Sequence, residues 1–287
     1  MTNWKITLAY DGTPYRGWQV QPGLPTVQGL LAEAIERTVG ERVLPQGSGR
    51  TDAGVHALAQ VASVALEAGI PAANLQRALN RCLPASIRVL AVEAVAAGFH
   101  ARHSAVGKTY EYRIFPLKGE GSSRCDAVSR CDSAERICPP MLAPAVWPCP
   151  WPLDLGVMNR AAQAVVGEHD FTSFAACDPD LATRGLASSL VDAEPRSNVR
   201  SITRSGWEWV DGLAIYRVSA NGFLHHMVRN LVGTFVQVGA HRLDAEAIPA
   251  ILAALNRSAA GPTAPASGLF LVSVDYPSAV DSSAAFR

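Results

Sequence analysis

The sequence has little charge, few lysines and no long apolar run. Charged residues make up 17% of the 287 residues, and 25 Lys and Arg balance 25 Asp and Glu. A polyanionic partner must therefore be held by a local basic patch and not by the net charge. Three of the basic residues are lysines and the rest are arginines. Arginine suits bidentate phosphate contacts, although a GC-rich genome produces the same excess.

Targeting and disulfide signals are also missing. The opening MTNWKITLAYDG lacks a basic segment followed by an apolar one, and no apolar run reaches the roughly 18 residues of a membrane span. We therefore expect a soluble, cytoplasmic protein with no membrane partner. Six cysteines form no CxxC pair and are expected to be free thiols. A structural zinc remains an alternative, although the spacings fit no common zinc finger; its four ligands would be Cys125, Cys131, Cys138 and Cys149.

Hydrophobic residues, 48% of the chain, are enough to bury a sizeable core. Residues 4–10 alternate as a strand does, and Thr26 can cap a helix that ends before Gly40. Short strands near 42–45 and over 60–66, a helix from Pro71 to Leu83 and a strand over 87–96 follow. This β-α-β-β-α-β order is typical of ferredoxin-like units.

The rest of the chain repeats that plan with insertions. Strands are expected over 108–115, 199–210, 213–220 and 269–276, and helices over 155–166, 225–238 and 245–255. We predict an α/β (α+β) fold of two ferredoxin-like halves with mainly antiparallel sheets that meet at a central cleft. The expected N-terminal half is 1–107, and the C-terminal half, 108–287, carries irregular insertions at about 116–153 and 176–198.

The stretch QGSGRTDAGVHALAQVA, residues 46–62, is the most unusual. Three glycines surround Arg50 and Asp52 on a loop between two strands, so the backbone can approach a ligand and place a carboxylate outward. An aspartate beside glycines is also an ordinary turn residue, and that interpretation stays open. A phosphate-binding loop is excluded because its GK[ST] ending is absent.

A second stretch, NGFLHHMVRNLVGTFVQVG, covers residues 221–239. As a helix it places His225 and Arg229 on one face. Adjacent His225 and His226 should point in different directions, so no metal site of the i, i+4 kind is predicted. Arg229 within so apolar a helix should seek a carboxylate, for which an aspartate of the other half is the obvious partner.

The third stretch, FHARHSAVGKTYEYRIF, covers residues 99–115. Strand alternation places Tyr110 and Tyr112 on one face and Glu111 and Arg113 on the other. Ordinary packing explains such a pair. An aromatic face near Arg102, His103 and Lys108 could also stack a nucleobase and hold its phosphates.

Taken in order, these stretches resemble the tRNA pseudouridine synthase A family. The resemblance rests on GRTDAGVHA, KTYEY and HHMVRNLVG, and extends to YDGTPYRGWQ, FHAR, GEHDFTSF and GLFLVSVDY. It covers nearly the whole chain apart from the two insertions, which are longer than in typical members, and the tail after Tyr276.

The resemblance implies a cofactor-free and metal-free isomerase with the pseudouridine synthase fold, acting on uridines 38–40 in the anticodon stem-loop of tRNA. Its catalytic aspartate corresponds to Asp52, its base-stacking tyrosine to Tyr110, and the arginine that pairs with the aspartate to Arg229. Arg50 corresponds to the arginine beside the flipped nucleotide. Members of the family are homodimers with a basic surface for tRNA.

Two other functions compete with this interpretation. A nucleoside or glycoside hydrolase also cleaves at an anomeric carbon, but it needs a second acidic group or several metal-binding aspartates. A non-catalytic RNA-binding module on the same fold would be expected to lack Asp52, Tyr110 or Arg229, and all three are present.

Overall fold

A computed structural model describes residues 1–118, 136–176 and 197–277. The fold is mixed α/β with mostly antiparallel strand pairs, which confirms the predicted class. Contacts divide the chain into two compact units. The first comprises Met1–Glu111, Pro140–Val146 and Ala266–Arg287, and the second comprises Tyr112–Pro139 and Trp147–Pro265. Among the described helices, none has the length and apolar character that crossing a bilayer would require.

The first unit follows the predicted order of elements. These are β1 (Thr2–Tyr10), α1 (Val27–Val39), β2 (Gln46–Gly47), β3 (His56–Leu66), α2 (Ala72–Cys82) and β4 (Ile87–Val95). Strand β1 lies between β4 and β3 with antiparallel pairing to both, and β2 pairs antiparallel with β3. This is the ferredoxin-like arrangement. The strand expected at 42–45 was wrong by a few residues, because pairing begins only at Gln46.

Local sequence explains these elements. Alternate residues of β1 are buried, namely Trp4, Ile6, Leu8 and Tyr10, as expected of a strand with one face on a core. Helix α1 begins where the Thr26 hydroxyl accepts a bond from the Gly29 amide, and it ends at Gly40, whose φ of 78° is left-handed. Both ends match the sequence prediction.

The second unit contains the remaining elements apart from the last strand. Strand β5 (Gly107–Pro116) begins in the first unit and ends in the second. It is followed by β6 (Trp147–Cys149), α3 (Leu155–Gln163), β7 (Gly167–Asp170), β8 (Val199–Val210), β9 (Leu213–Ala220), α4 (Met227–Gly239) and α5 (Ile248–Ala253). Strand β8 lies between β9 and β7. Strand β6 pairs in parallel with the end of β5 inside a segment that we expected to be irregular.

Helix α4 is the core helix of the second unit. Nearly all of its residues are buried. The Phe235 ring lies 5.4 Å from the Tyr216 ring and 6.5 Å from the Trp207 ring, measured between centroids. This packing against β8 and β9 fixes the helix that carries Arg229.

The last strand, β10 (Leu269–Asp275), belongs to the first unit. The sequence pattern had placed it at the end of the second half. It runs parallel to β3, with Phe270 opposite His56 and Leu271 opposite Ala57. The boundary between the units falls within β5, after Glu111. The division into 1–107 and 108–287 stays a prediction.

Candidate active site

The loop that carries Asp52 lies between β2 and β3 and is held by side chains from outside it. The Gln60 amide donates to the Gly49 carbonyl at 3.0 Å and accepts from the Ser48 hydroxyl at 2.6 Å. The Lys108 ammonium donates to the Ser48 carbonyl at 2.8 Å. Gln60 and Ser48 are fully buried. Bonds of this kind, shielded from water, keep the loop in one conformation.

Thr51, the residue before Asp52, is held by two hydrogen bonds, one at its backbone carbonyl and one at its side-chain hydroxyl. Its carbonyl accepts from the Trp18 amide at 3.0 Å, and its hydroxyl shares a 2.8 Å bond with the Tyr10 hydroxyl. Gly17 makes this approach feasible, because its φ is 90° and an added Cβ would lie 2.6 Å from the Thr51 carbonyl oxygen. The motif YDGTPYRGWQ therefore includes one of the supports of the Asp52 loop.

Asp52 begins a tight turn on this scaffold. Its carbonyl accepts from the Val55 amide at 3.1 Å, and the Gly54 amide donates to the Tyr15 carbonyl at 3.3 Å. Its side chain is half-buried, whereas Arg50 is exposed. The backbone thus presents the carboxylate from a turn with few degrees of freedom.

Tyr110 lies on β5 with 8% of its surface exposed. Burial raises the pKa of its phenol well above the usual value, and the nearby Tyr10 and the negative charge of Asp52 raise it further. The hydroxyl is therefore protonated at neutral pH and can donate a hydrogen bond. Tyr112 is also buried and donates to the Pro265 carbonyl at 2.7 Å. Glu111, expected on the opposite face of the strand, is buried as well.

Arg229 lies in the first turn of α4 in the second unit, and its side chain is half-buried. Its Nε donates to the Ala264 carbonyl at 2.8 Å, and its own carbonyl accepts from the Ala264 amide at 3.1 Å. We expected a carboxylate partner from the sequence, in which nothing indicates this contact with residue 264.

The prediction that His225 and Arg229 share a helical face was wrong. Helix α4 begins only at Met227, and His226 before it has a left-handed φ of 58°. That turn also brings the two histidine rings together, with centroids 3.9 Å apart. They do not point in different directions, as a helix through 225 would have required.

His56 belongs to the motif GRTDAGVHA, but its sequence pattern predicts no role for it. It is 3% exposed and its ring stacks on Phe270 with centroids 4.6 Å apart. Nδ1 accepts from the Gly12 amide at 3.1 Å, and Nε2 lies 3.0 Å from the Pro144 carbonyl. Nδ1 also lies 3.2 Å from an oxygen of the Asp11 carboxylate, so both ring nitrogens have polar partners. Its position inside GRTDAGVHA was the signal that could have identified it.

The cysteines of the described residues, Cys82, Cys138 and Cys149, are free thiols, as expected. The alternative zinc site needs Cys125 and Cys131, which lie outside the described residues.

Comparison with known proteins assigns the chain to a family. A family model described as tRNA pseudouridine synthase matches residues 6–104 and 161–277. A protein of Solibacter usitatus named tRNA pseudouridine synthase A is 47% identical over 273 residues, which cover 95% of this chain and 98% of that protein. Proteins of the same name from Moorella thermoacetica and Rhodospirillum centenum are each 44% identical, over 95% and 96% of this chain and 98% and 100% of their own lengths. The chain belongs to the tRNA pseudouridine synthase family.

The matched segments of the tRNA pseudouridine synthase family include Arg50, Asp52 and Arg229. Tyr110 falls in the gap between them, which also contains the expected insertion at 116–153. The insertion at 176–198 lies within the second matched segment.

Proposed function

We propose that this chain converts uridine to pseudouridine in tRNA. Its membership of the tRNA pseudouridine synthase family supports the activity. The carboxylate of Asp52, on a turn held by backbone hydrogen bonds and near a buried tyrosine, carries the assignment of the site. The relatives are named for tRNA, and we extend that substrate to this chain.

The reaction breaks the N1–C1′ bond, turns the uracil and joins its C5 to C1′, and the proton on C5 is finally replaced by one on N1. Neither an oxidant nor a group donor is consumed. Asp52 acts either as a nucleophile toward the sugar carbon or as a base on a sugar proton, and either role requires the ionised carboxylate. Arg229, as the positive partner of Asp52, would favour that ionised form.

Tyr110 would hold the uracil while it rotates. Stacking tolerates rotation in the plane of the ring and is worth about 1–3 kcal/mol per base. Because burial keeps its phenol protonated, the hydroxyl serves here as a hydrogen-bond donor. A neutral phenol is a weak base for the C5 proton, so we assign Tyr110 stacking and orientation.

The target uridine must leave a stacked stem to reach Asp52, and flipping costs a few kcal/mol. We propose that exposed arginines of the first unit offset this cost through phosphate contacts; they include Arg16, Arg50 and Arg102. Lys108 is less suited, because its ammonium already donates to the Ser48 carbonyl.

The finer assignments follow from the resemblance to the family. We propose that the substrate uridines are those at positions 38–40 of the anticodon stem-loop, that the protein acts as a homodimer in the cytoplasm, and that turnover needs no cofactor or metal. Mapping of pseudouridine in treated transcripts tests the positions, and sedimentation of the purified protein tests the dimer.

Substitution of Asp52 tests the assignment of the catalytic group. Asp52→Asn keeps the size of the side chain but cannot supply an ionised carboxylate, so turnover should fall to background while tRNA binding persists. Asp211→Asn, in the turn between β8 and β9, is the matched control and should leave turnover unchanged. Carbodiimide labelling detects the product, because pseudouridine keeps the adduct.

Freshly purified Asp52→Asn with about a tenth of the wild-type rate or more would show that another group is catalytic. Release of free uracil would instead indicate a hydrolase. Binding of tRNA by the wild-type chain without either product would indicate a non-catalytic RNA-binding module.

A further inference from the structure

Two features of the sequence have no role in the proposed chemistry. One is the segment GEHDFTSF at 167–174, and the other is the pair Asn230 and Gly233 in α4. Both contact the same segment of the second unit, residues 256–264, which we call the strap.

The strap lies directly on the backbone of α4. A Cβ added at Gly233 would overlap the Pro262 carbonyl oxygen, and one added at Gly261 would lie 2.8 Å from the Thr234 Cα. The Gly261 amide donates to the Thr234 hydroxyl at 2.9 Å. Glycine at 233 therefore permits a contact that any larger side chain would prevent.

Asn230 is the centre of the hydrogen bonds that hold the strap. It is fully buried. Its Oδ1 accepts from the Thr263 hydroxyl at 2.7 Å and from Arg257 Nη2 at 3.0 Å, and its Nδ2 donates to the Phe174 carbonyl at 2.7 Å. Arg257 Nη2 also lies 3.1 Å from the Thr263 hydroxyl. One side chain thus joins the strap to α4 and to the 172–174 turn.

The 172–174 turn adds a second attachment. Ser173 is fully buried, and its hydroxyl accepts from the Asn256 amide at 2.9 Å. The start of the strap is therefore held by Ser173, and its later part by Asn230.

The end of the strap reaches Arg229. Ala264 is 1% exposed, and it exchanges two hydrogen bonds with Arg229, one from the guanidinium Nε and one to the backbone carbonyl. Because Nε is bound, the plane of the guanidinium and the direction of its Nη groups follow the position of residue 264.

We propose that Asn230, together with Arg257 and Thr263, positions the guanidinium of Arg229 by holding the strap against α4. These are positioning residues, since none of them is required to touch the substrate. The consequence for turnover rests on the proposed function, in which Arg229 supports the ionised form of Asp52.

Hydrogen exchange tests the strap without reference to activity. Thr263→Val keeps the shape of the side chain but removes its donor to Asn230, so the Ala264 amide should exchange faster, by about tenfold. Thr203→Val is the matched control, because Thr203 on β8 is exposed, as Thr263 is, and its hydroxyl also donates one hydrogen bond, in this case to the Ser219 carbonyl. The control should leave Ala264 exchange unchanged. Unchanged exchange in Thr263→Val would overturn the proposal.

Turnover tests the effect on Arg229. Asn230→Ala should lower kcat about tenfold and Thr263→Val about threefold, with KM for tRNA within about twofold, because misplacement affects the reacting geometry more than binding. The apparent pKa on the acid limb of the rate profile should rise in both. If Asn230→Ala does not fold, the kcat and the acid limb of Thr263→Val alone test the proposal.

A double substitution separates positioning from stability. In an Arg229→Lys background, which lacks Nε, Thr263→Val should add less than about 1.5-fold to the loss of kcat. The proposal would be overturned if Thr263→Val lowered kcat by the same factor in the wild-type and Arg229→Lys chains. It would also be overturned if Thr263→Val left the acid limb of the wild-type rate profile unshifted. A wild-type chain without turnover would contradict the proposed function, while exchange at Ala264 would still report whether the strap is held as described.

Discussion

At the scale of residues, burial decides the chemistry of the tyrosines. Five have a pKa above the ordinary value, each chiefly because burial disfavours the phenolate; they are Tyr10, Tyr110, Tyr112, Tyr216 and Tyr276. For Tyr10 the pKa rises to about 12 despite hydrogen bonds from Thr51 and Gln60 that lower it. The site therefore presents neutral phenols across the physiological range.

We predict that Tyr110→Phe removes a phenol that ionises only at a pH above the usual value for tyrosine. Because the pKa of Tyr110 is higher in the folded chain than the value of about 10 in the unfolded chain, its contribution to stability is complete below pH 10 and is lost as pH rises further. Phenolate absorbance followed against pH should lose one step above pH 10 in the variant. If the titration step that the variant lacks occurs at or below pH 10 in the wild-type chain, the buried environment described for Tyr110 is wrong.

The sequence predicted the glycine-rich loop better than it predicted the contacts that surround the loop. Asp52 and Arg50 were expected on a glycine-rich loop, and they lie on one. The supports of that loop come from Tyr10, Trp18 and Gln60, and these contacts depend on strand pairing that no local pattern specifies. The partner of Arg229 Nε is a backbone carbonyl, which has no signature in the sequence.

At the scale of elements, capping residues in the sequence predicted both ends of α1 and the start of α2. Thr26 and Gly40 frame α1, and Pro71 precedes α2, as the pattern indicated. The start of α4 was missed because His226 has the left-handed conformation that glycine or asparagine usually provides. The 245–255 helix begins with a 3₁₀ turn over Ala245–Ala247, which its hydrophobic period does not reveal.

Gly40 allows a direct test of the α1 end. Its φ is 78° and nothing lies within 4 Å of an added Cβ, so Gly40→Ala should lower the free energy of unfolding by about 1 kcal/mol through backbone strain alone. Urea unfolding measures the change. Gly98→Ala, where space is also open but no left-handed φ is present, should stay within about 0.5 kcal/mol of wild type. Equal effects of the two would contradict a left-handed cap.

At the scale of the whole molecule, a formally neutral chain is proposed to bind a polyanion. The net charge is zero, so the attraction must come from local arginines. Some arginines already have acidic partners, as Arg42 has Glu36 at 2.6 Å. Arg102 is exposed on the FHAR segment of the first unit, where a phosphate could reach it.

The salt dependence of tRNA binding tests whether a local patch of arginines holds the tRNA. The logarithm of tRNA affinity should fall linearly with the logarithm of salt concentration, because bound arginines release phosphate counterions. Arg102→Ala should reduce the magnitude of that slope by about one, whereas Arg42→Ala should leave it unchanged. A flat plot for the wild-type chain would contradict a basic tRNA surface.

The sequence does not predict that β10 belongs to the first unit. Local periodicity identified the strand at 269–276, but nothing in LFLVSVDY specifies that it pairs with His56 and Ala57. Pairing over such a separation is decided by how the whole sheet buries its faces, and not by the strand itself.

The late position of β10 has a consequence for synthesis of the protein on the ribosome. His56, four residues after Asp52, gains its stacking partner Phe270 only after residues 147–265 of the second unit have been translated. Contacts so distant in sequence also form slowly. The first unit therefore gains its last strand only after the second unit has been translated, although its first residues leave the ribosome first. A nascent chain without β10 would already contain Tyr10, Trp18 and Gln60, which hold the Asp52 loop, but the ring of His56 would lack Phe270.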